Sequence, residues 1–107
     1  MKTYTVSTTV NNANSTVIED DVGRDIKVKS IQFSFYDPSG ATTQQPKVHI
    51  SVNDRKITER PVYPAVFDFS KNDRELFELT RGDNLTIEVS NLDNTITQQI
   101  DITFIGE

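Results

Sequence analysis

The stretch "LTIEVSNLDNTITQQIDITF", residues 85–104, decides the fold. Apolar and polar residues alternate over residues 85–89 and again over residues 100–104. Because successive side chains of a β-strand point to opposite faces, each run has one apolar and one polar face. Turn-forming residues 91–94 separate the runs and predict a hairpin that returns onto Ile96. The stretch therefore predicts two half-buried antiparallel strands.

The same two-residue period recurs in other parts of the chain, at residues 4–10, 31–35 and 48–52. No segment longer than a turn has the apolar spacing of an amphipathic helix. About seven or eight short strands predict an all-β, two-sheet antiparallel β-sandwich in a single domain, residues 1–107. Immunoglobulin domains carry a cysteine pair and a core tryptophan, and this chain has neither residue type, which favours a jelly-roll-like sandwich.

Local irregularities refine this prediction. The apolar phase changes within residues 26–35, and one extra residue near Lys29 and Ser30, a β-bulge, would restore a common face. Residues 53–56, "NDRK", predict a hairpin turn. Pro61 and Pro64 cannot donate ladder hydrogen bonds, so their segment is expected at a sheet edge or in an extended loop. The polar segment 11–25 is interpreted as a long loop or arm.

Composition disfavours several classes of function. Sixteen acidic and eleven basic residues give a net charge of −5 without a basic stripe, so neither nucleic acid nor an anionic membrane is a predicted partner. The absence of cysteine excludes disulfides, zinc–thiolate sites and cysteine nucleophiles. The first ten residues lack the apolar core of a signal peptide, and no apolar run approaches the length of a transmembrane helix.

No catalytic, metal-binding or cofactor-binding residue is predicted. His49 is the only histidine, and its position between two apolar residues predicts an outward, solvated side chain. The acidic run of residues 19–21 lacks the spacing of a calcium loop. A serine-nucleophile elbow is also missing. The sequence therefore predicts a protein that is not an enzyme.

The tripeptide Arg81, Gly82, Asp83 matches the motif that adhesion receptors recognise, but it directly precedes the alternating run at residue 85. Glycine can adopt a positive φ at the entry to a strand, and Asp83 and Asn84 can hydrogen-bond to the backbone of the turn. We therefore interpret the tripeptide as a corner at the start of a strand.

The C-terminal third has the pattern GD-x-L-x-I-x-V-x-N, followed by a turn and a last strand of the form x-I-x-F-x-G. The residues of this pattern are Gly82, Asp83, Leu85, Ile87, Val89, Asn91, Ile102, Phe104 and Gly106. The pattern resembles the closing strands of small β-sandwich virion proteins of tailed phages, namely accessory head, cement and fibre-base modules, which often end in a GD-x-L-x-I-x-V-x-N strand, a short turn and a V-x-I-x-F-x-G strand. The resemblance implies a non-catalytic structural subunit of a virion, assembled in the host cytoplasm. It implies contacts with other virion proteins, or with further copies in a homo-oligomer or lattice.

The nearly uncharged segment "KTYTVSTTV", residues 2–10, is predicted to add a strand to a neighbour's sheet. The predicted partner contacts are Tyr4, Val6 and Thr8, together with Tyr36 and Tyr63 from turn-like segments. Deleting residues 1–10 is expected to abolish assembly and to leave the sandwich folded. The alternative function is a carbohydrate-binding or adhesion module, in which the rings of Tyr36 and Tyr63 would stack on a glycan.

Overall fold

The computed structural model describes residues 1–38, 45–58, 60–64 and 76–107 of the chain. These residues contain eight β-strands. They are β1 (Lys2–Asn11), β2 (Thr16–Asp21), β3 (Ile26–Tyr36), β4 (Lys47–Val52), β5 (Arg55–Lys56), β6 (Phe77–Leu79), β7 (Asn84–Ser90) and β8 (Thr97–Gly106).

The strands form two four-stranded antiparallel sheets. The first sheet has the order β1-β8-β3-β6, and the second has the order β2-β7-β4-β5. The pairs β1 with β8, β2 with β7, β3 with β6 and β4 with β5 are nested, as if one long hairpin had been rolled up. This nested pairing is the topology of an eight-stranded jelly roll. The predicted fold class is confirmed.

The core lies between the two sheets and is built from alternate residues of their strands. Phe104, in the centre of the first sheet, is fully buried, and its ring meets the rings of Tyr4 and Phe77 edge to face. Among the described residues, the buried apolar ones are Val6, Val10, Val22, Ile26, Val28, Ile31, Val48, Ile50, Val52, Phe77, Leu79, Leu85, Ile87, Val89, Leu92, Ile100, Ile102 and Phe104.

Two of the predicted irregularities are confirmed. The register between β3 and β8 shifts between Val28 and Ser30, which is the predicted β-bulge. Asn53 and Asp54 have φ angles of 52° and 64°, and they connect β4 to β5 in a tight hairpin. Such turns favour Asn and Asp because these residues tolerate positive φ.

Two other predictions are wrong. Segment 11–25 is not a continuous loop, because residues 16–21 form β2 and pair with β7. Residues 91–94 do not close a hairpin, because β7 belongs to the second sheet and β8 to the first. There the chain crosses between the sheets, with Asn91 at a φ of 61° and Leu92 buried in the core.

The segment around Pro61 lies along the outer edge of β4, as predicted. Val62 forms an isolated bridge with Val48, and the two residues exchange backbone hydrogen bonds of 2.8 and 2.9 Å. The prolines on either side of this bridge, Pro61 and Pro64, lack the N–H that would extend the pairing.

Candidate assembly edge

Strand β1 is the outermost strand of the first sheet. All ten of its residues pair with β8, from Lys2 opposite Gly106 to Asn11 opposite Thr97. Within the described ranges, no strand pairs with the opposite side of β1. An outermost strand presents a row of unpaired N–H and C=O groups, which can template pairing with another chain.

The register identifies the residues whose backbone groups are open. The N–H of Asn12 donates to the carbonyl of Ile96 at 3.1 Å and continues the ladder between β1 and β8. Because bonded pairs alternate in an antiparallel ladder, the even-numbered residues of β1 bond to β8 and the odd-numbered residues face the free side. The Thr3 carbonyl on this side accepts a hydrogen bond from Arg24 at 3.0 Å, which agrees with that assignment. Between Thr3 and the end of the strand at Asn11, the residues whose N–H and C=O have no partner among the described residues are Thr5, Ser7 and Thr9.

This edge carries almost none of the features that protect edge strands. Charged side chains, prolines and very short strands are the usual protections. Between residues 3 and 11, β1 has no charged residue and no proline. By contrast, the edge strand β2 carries three acidic residues, and the edge strands β5 and β6 contain only two and three residues.

A cleft of about 220 Å³ opens beside β1, between the edges of the two sheets. At one end, the Tyr4 hydroxyl donates to the Asp21 carbonyl at 3.3 Å and bridges the sheets. Beyond this bridge the side of the sandwich is open, and Ile18 is only half-buried. The cleft is lined by Thr5, Val6, Ser7, Ile18, Glu19 and Asp20.

The three predicted contact residues of β1 have side chains on the inner face of the sheet. Val6 is 6% exposed and belongs to the core, while Tyr4 packs against Phe104 at a ring-centroid distance of 6.4 Å. Thr8 lies on the same half-buried inner face, opposite Ile100. The residues whose backbone faces the free side are therefore the neighbours of the predicted residues, and their side chains lie on the outer face.

The structure does not bring the predicted aromatic residues together. Tyr36 ends β3 and lies on the outer face of the first sheet, where its ring is 46% exposed. Tyr63 lies beside the second sheet, with the Lys47 ammonium 5.2 Å from its ring centroid. The two rings are on opposite faces of the sandwich, so they cannot form one platform for a ligand.

The outer face of the first sheet is a polar surface crossed by hydrogen bonds between strands. The Thr5 and Thr103 hydroxyls are 3.0 Å apart, and the Thr9 hydroxyl donates to Oε1 of Gln99 at 2.6 Å. Nε2 of Gln99 donates to Asp101 at 3.1 Å. These bonds fix the side chains on the open strand to the central strand β8.

Asp101 is the charged centre of this network, and its titration should affect folding stability. A hydrogen bond from Ser7 makes the largest contribution to lowering the pKa of Asp101, and Gln99 also lowers it. Because the folded-state pKa is lowered, the ionised carboxylate stabilises the fold fully at pH values above the unfolded-state pKa of about 4. This stabilisation is lost as the pH falls through the folded-state pKa. Urea unfolding of wild type and Asp101→Asn between neutral and acidic pH should therefore show a weaker acid dependence in the variant. Identical slopes would contradict this assignment.

The Arg81, Gly82, Asp83 tripeptide forms the predicted corner. Gly82 has a φ of 92°, and its N–H donates to the Val22 carbonyl at 2.9 Å. Asp83 uses both carboxylate oxygens, accepting from the Thr80 N–H at 2.8 Å and from the Asn53 side chain at 2.9 Å. This carboxylate holds the corner together at the start of β7.

His49 faces outward from β4, as predicted, but it is not fully solvated. Its side chain is 16% exposed, and Nδ1 lies 3.7 Å from the Glu88 carboxylate. In the part of the chain that the structure describes, no three His, Asp or Glu side chains are grouped so that they could hold a metal ion. Across the same residues, no helix is long and apolar enough to cross a membrane.

No protein-family model, curated protein or solved structure matches this chain.

Proposed function

We propose that the protein is a non-catalytic structural subunit that assembles with further copies through the free edge of β1. The observation that carries the proposal is the long edge of β1, which has no charged residue from residue 3 to residue 11 and, among the described strands, no partner on its free side, where the backbone groups of Thr5, Ser7 and Thr9 are open. A free edge of this kind would expose a monomeric protein to aggregation, because its unpaired backbone groups can pair with other chains. In a subunit of an assembly, it is the contact surface.

The resemblance of the C-terminal third to phage accessory proteins supports a place in a virion, as a capsid-decorating, cement or head/fibre-base subunit. Viral capsid domains use eight-stranded jelly rolls, but so do lectin domains. The jelly-roll fold is compatible with a virion subunit but does not distinguish it from a lectin, because one fold hosts many functions. Cosedimentation of the protein with purified tailed-phage virions tests the placement in a virion separately from self-association.

Replacing Ser7 by Pro should reduce self-association strongly. Proline removes an N–H that faces the free side, and the hydrogen bonds between β1 and β8 use the neighbouring residues. Light scattering after size exclusion, at micromolar concentration, should give a larger mass for wild type than for Ser7→Pro. Circular dichroism should show the same β-structure in both proteins.

Ser7→Ala is the matched control, because it removes the hydroxyl and keeps the backbone N–H. It should assemble like wild type. If Ser7→Pro is poorly folded, Thr9→Lys provides a second test, since a lysine on an edge strand opposes strand pairing. Wild-type assembly by folded Ser7→Pro and Thr9→Lys would contradict the proposal.

Deletion of residues 1–10 is a poor test of assembly, contrary to the expectation from the sequence. The deletion would remove Val6 and Val10 from the core and nearly the whole partner of β8 on one side. We therefore expect it to unfold the sandwich, so only point substitutions can separate assembly from folding.

Carbohydrate binding is the second candidate function, at the outer face of the first sheet. The observation that favours it is the exposed ring of Tyr36, which ends β3 on the same outer face as Asp101. An exposed aromatic ring beside fixed polar groups can stack on a sugar and bind its hydroxyls. A glycan array probed with wild type and Tyr36→Ala tests this function, with Tyr63→Ala on the opposite face as the control.

A further inference from the structure

We infer that the partner of β1 is the β1 strand of a second copy, antiparallel to it across a two-fold axis at Ser7. This inference rests on the proposed assembly function and adds the partner and its register. The first sheet of one copy and the first sheet of the other would then join into one continuous sheet across the axis. The contact is isologous, because each copy contributes the same surface.

The arrangement of the open backbone groups selects this register. Thr5 and Thr9 lie two residues before and after Ser7, so a two-fold axis at Ser7 places Thr5 opposite the partner's Thr9. Ser7 then lies opposite the partner's Ser7. In each facing pair both residues direct N–H and C=O towards the partner, and the pair can exchange two hydrogen bonds. Thr5, Ser7 and Thr9 thereby all gain partners, and the end residues Thr3 and Asn11 lie opposite each other.

Other registers leave part of the row unmatched. An axis at Val6 would place Thr9 opposite the partner's Thr3, whose carbonyl already accepts from Arg24. An axis at Thr8 would place Thr5 opposite the partner's Asn11. The chain leaves the strand direction directly afterwards, because Asn12 has a φ of 51°.

A head-to-tail contact is the competing arrangement. Arg55 of β5 and Glu78 of β6 line one cleft, so these two edges share one side of the sandwich, opposite the side of β1 and β2. The basic residues of β5 could then face the acidic β2 of the next copy. However, this head-to-tail contact would pair the ten residues of β1 with β6, which has only three residues. Pairing β1 with itself matches the lengths of the two edges.

Salt separates the two arrangements. Glu19 and Asp20 line the cleft beside β1, so a two-fold contact brings these carboxylates of both copies towards each other. Salt screens this repulsion, and the two-fold dimer should strengthen as sodium chloride is raised. A contact between β5 and β2 brings opposite charges together and should weaken under the same conditions.

The two-fold contact also explains the open side of the sandwich. The two clefts between β1 and β2 would face each other across the axis, and the half-buried Ile18 of each copy would be covered. Val6 would lie opposite the partner's Thr8 on the inner face, which continues the apolar interior across the axis. Each sandwich is thereby closed by the other.

A single introduced cysteine tests the register, because the chain contains no cysteine of its own. Residues in a bonded antiparallel pair have Cα atoms about 5.5 Å apart. The Cβ atoms of such a pair lie about 5.5 Å apart, which is too far for an unstrained disulfide but within reach of a short bifunctional thiol reagent. Full-length Ser7→Cys, treated with a short homobifunctional maleimide, should therefore form a covalent dimer on a denaturing gel.

Ser34→Cys is the matched control. Ser34 and Ser7 both pair with Asp101, so they lie in the same row of the outer face, two strands apart. In the two-fold dimer the two copies of Ser34 are about 24 Å apart, five strand spacings of about 4.8 Å, and should not cross-link. If Ser7→Cys folds poorly, the double variant Thr5→Cys/Thr9→Cys should cross-link instead.

The outcomes separate this inference from the proposed function. A Ser7→Cys dimer, together with association that strengthens with salt, supports the two-fold register. Self-association that Ser7→Pro abolishes, without a Ser7→Cys or Thr5→Cys/Thr9→Cys dimer, overturns the two-fold register and leaves the assembly function standing. Self-association that folded Ser7→Pro and folded Thr9→Lys both leave intact overturns the register and the proposed function.

Discussion

Replacing Phe104 by Ala is expected to lower the free energy of unfolding by about 3–5 kcal/mol. Phe104 is fully buried in β8, and its ring lies edge to face with Tyr4 of β1 and Phe77 of β6, at centroid distances of 6.4 and 6.0 Å. Truncation therefore leaves a cavity that touches three strands of one sheet. Domains of this size have a total stability of about 5–15 kcal/mol, so the loss is a large fraction.

Urea unfolding followed by circular dichroism measures this loss. Phe104→Leu should cost clearly less than Phe104→Ala, because it fills most of the cavity. Thr103→Ala changes the neighbouring residue, whose side chain lies on the outer face, and it should cost far less than either. A loss below about 1 kcal/mol for Phe104→Ala would contradict a close-packed core at this position.

Replacing Gly106 by Ala is expected to separate the ends of β3 and β8. A Cβ at this position would overlap the Lys27 carbonyl oxygen, and a backbone atom cannot move aside as a flexible side chain can. Lys27 and Glu107 exchange backbone hydrogen bonds of 2.7 and 3.1 Å beside this point, and both bonds would be strained. Overpacking of this kind typically costs about 1–3 kcal/mol, and a backbone clash places the substitution at or above the upper end.

Gly23→Ala is the matched control for this substitution, because a Cβ at Gly23 would have no atom within 4 Å apart from those of its own residue and the two adjacent ones. It should change the unfolding free energy by no more than about 0.5 kcal/mol. The two variants can be compared by urea unfolding under identical conditions. Equal stabilities would show that β3 and β8 do not approach as closely as the structure places them.

The sequence predicts the strands of the core well, because their side chains alternate between water and the interior. It misses β2, and the physical reason is its position at an edge. The inner face of β2 carries Thr16, Ile18 and Asp20, all only half-buried, so the segment has no alternating apolar pattern. An edge strand that covers little of the core needs few apolar residues.

The crossing at residues 91–94 was beyond prediction for a different reason. Turn-forming residues favour a change of direction, but the same chemistry serves a hairpin and a crossing between two sheets. Pairing with distant strands decides between them. Leu92, buried between polar neighbours, is the one local signal that this turn enters the core.

The candidate edge was predictable only in part. The lack of charge in residues 3–11 indicates a strand that can pair with another chain. Which backbone groups stay open depends on the register of β1 with β8, at the other end of the sequence. The alternating pattern therefore points to the inner-face residues Tyr4, Val6 and Thr8, whereas the open N–H groups belong to the polar residues between them.

Amide hydrogen exchange of β1 as a function of protein concentration tests the central claim most directly. In dilute solution the amides of Thr5, Ser7 and Thr9 should exchange rapidly, while those of Val6 and Thr8, bonded to β8, should exchange slowly. At concentrations where the mass increases, the three rapid amides should become protected, because the partner's carbonyl groups then accept their hydrogen bonds. An increase in mass that leaves these amides rapid would show that assembly uses another surface.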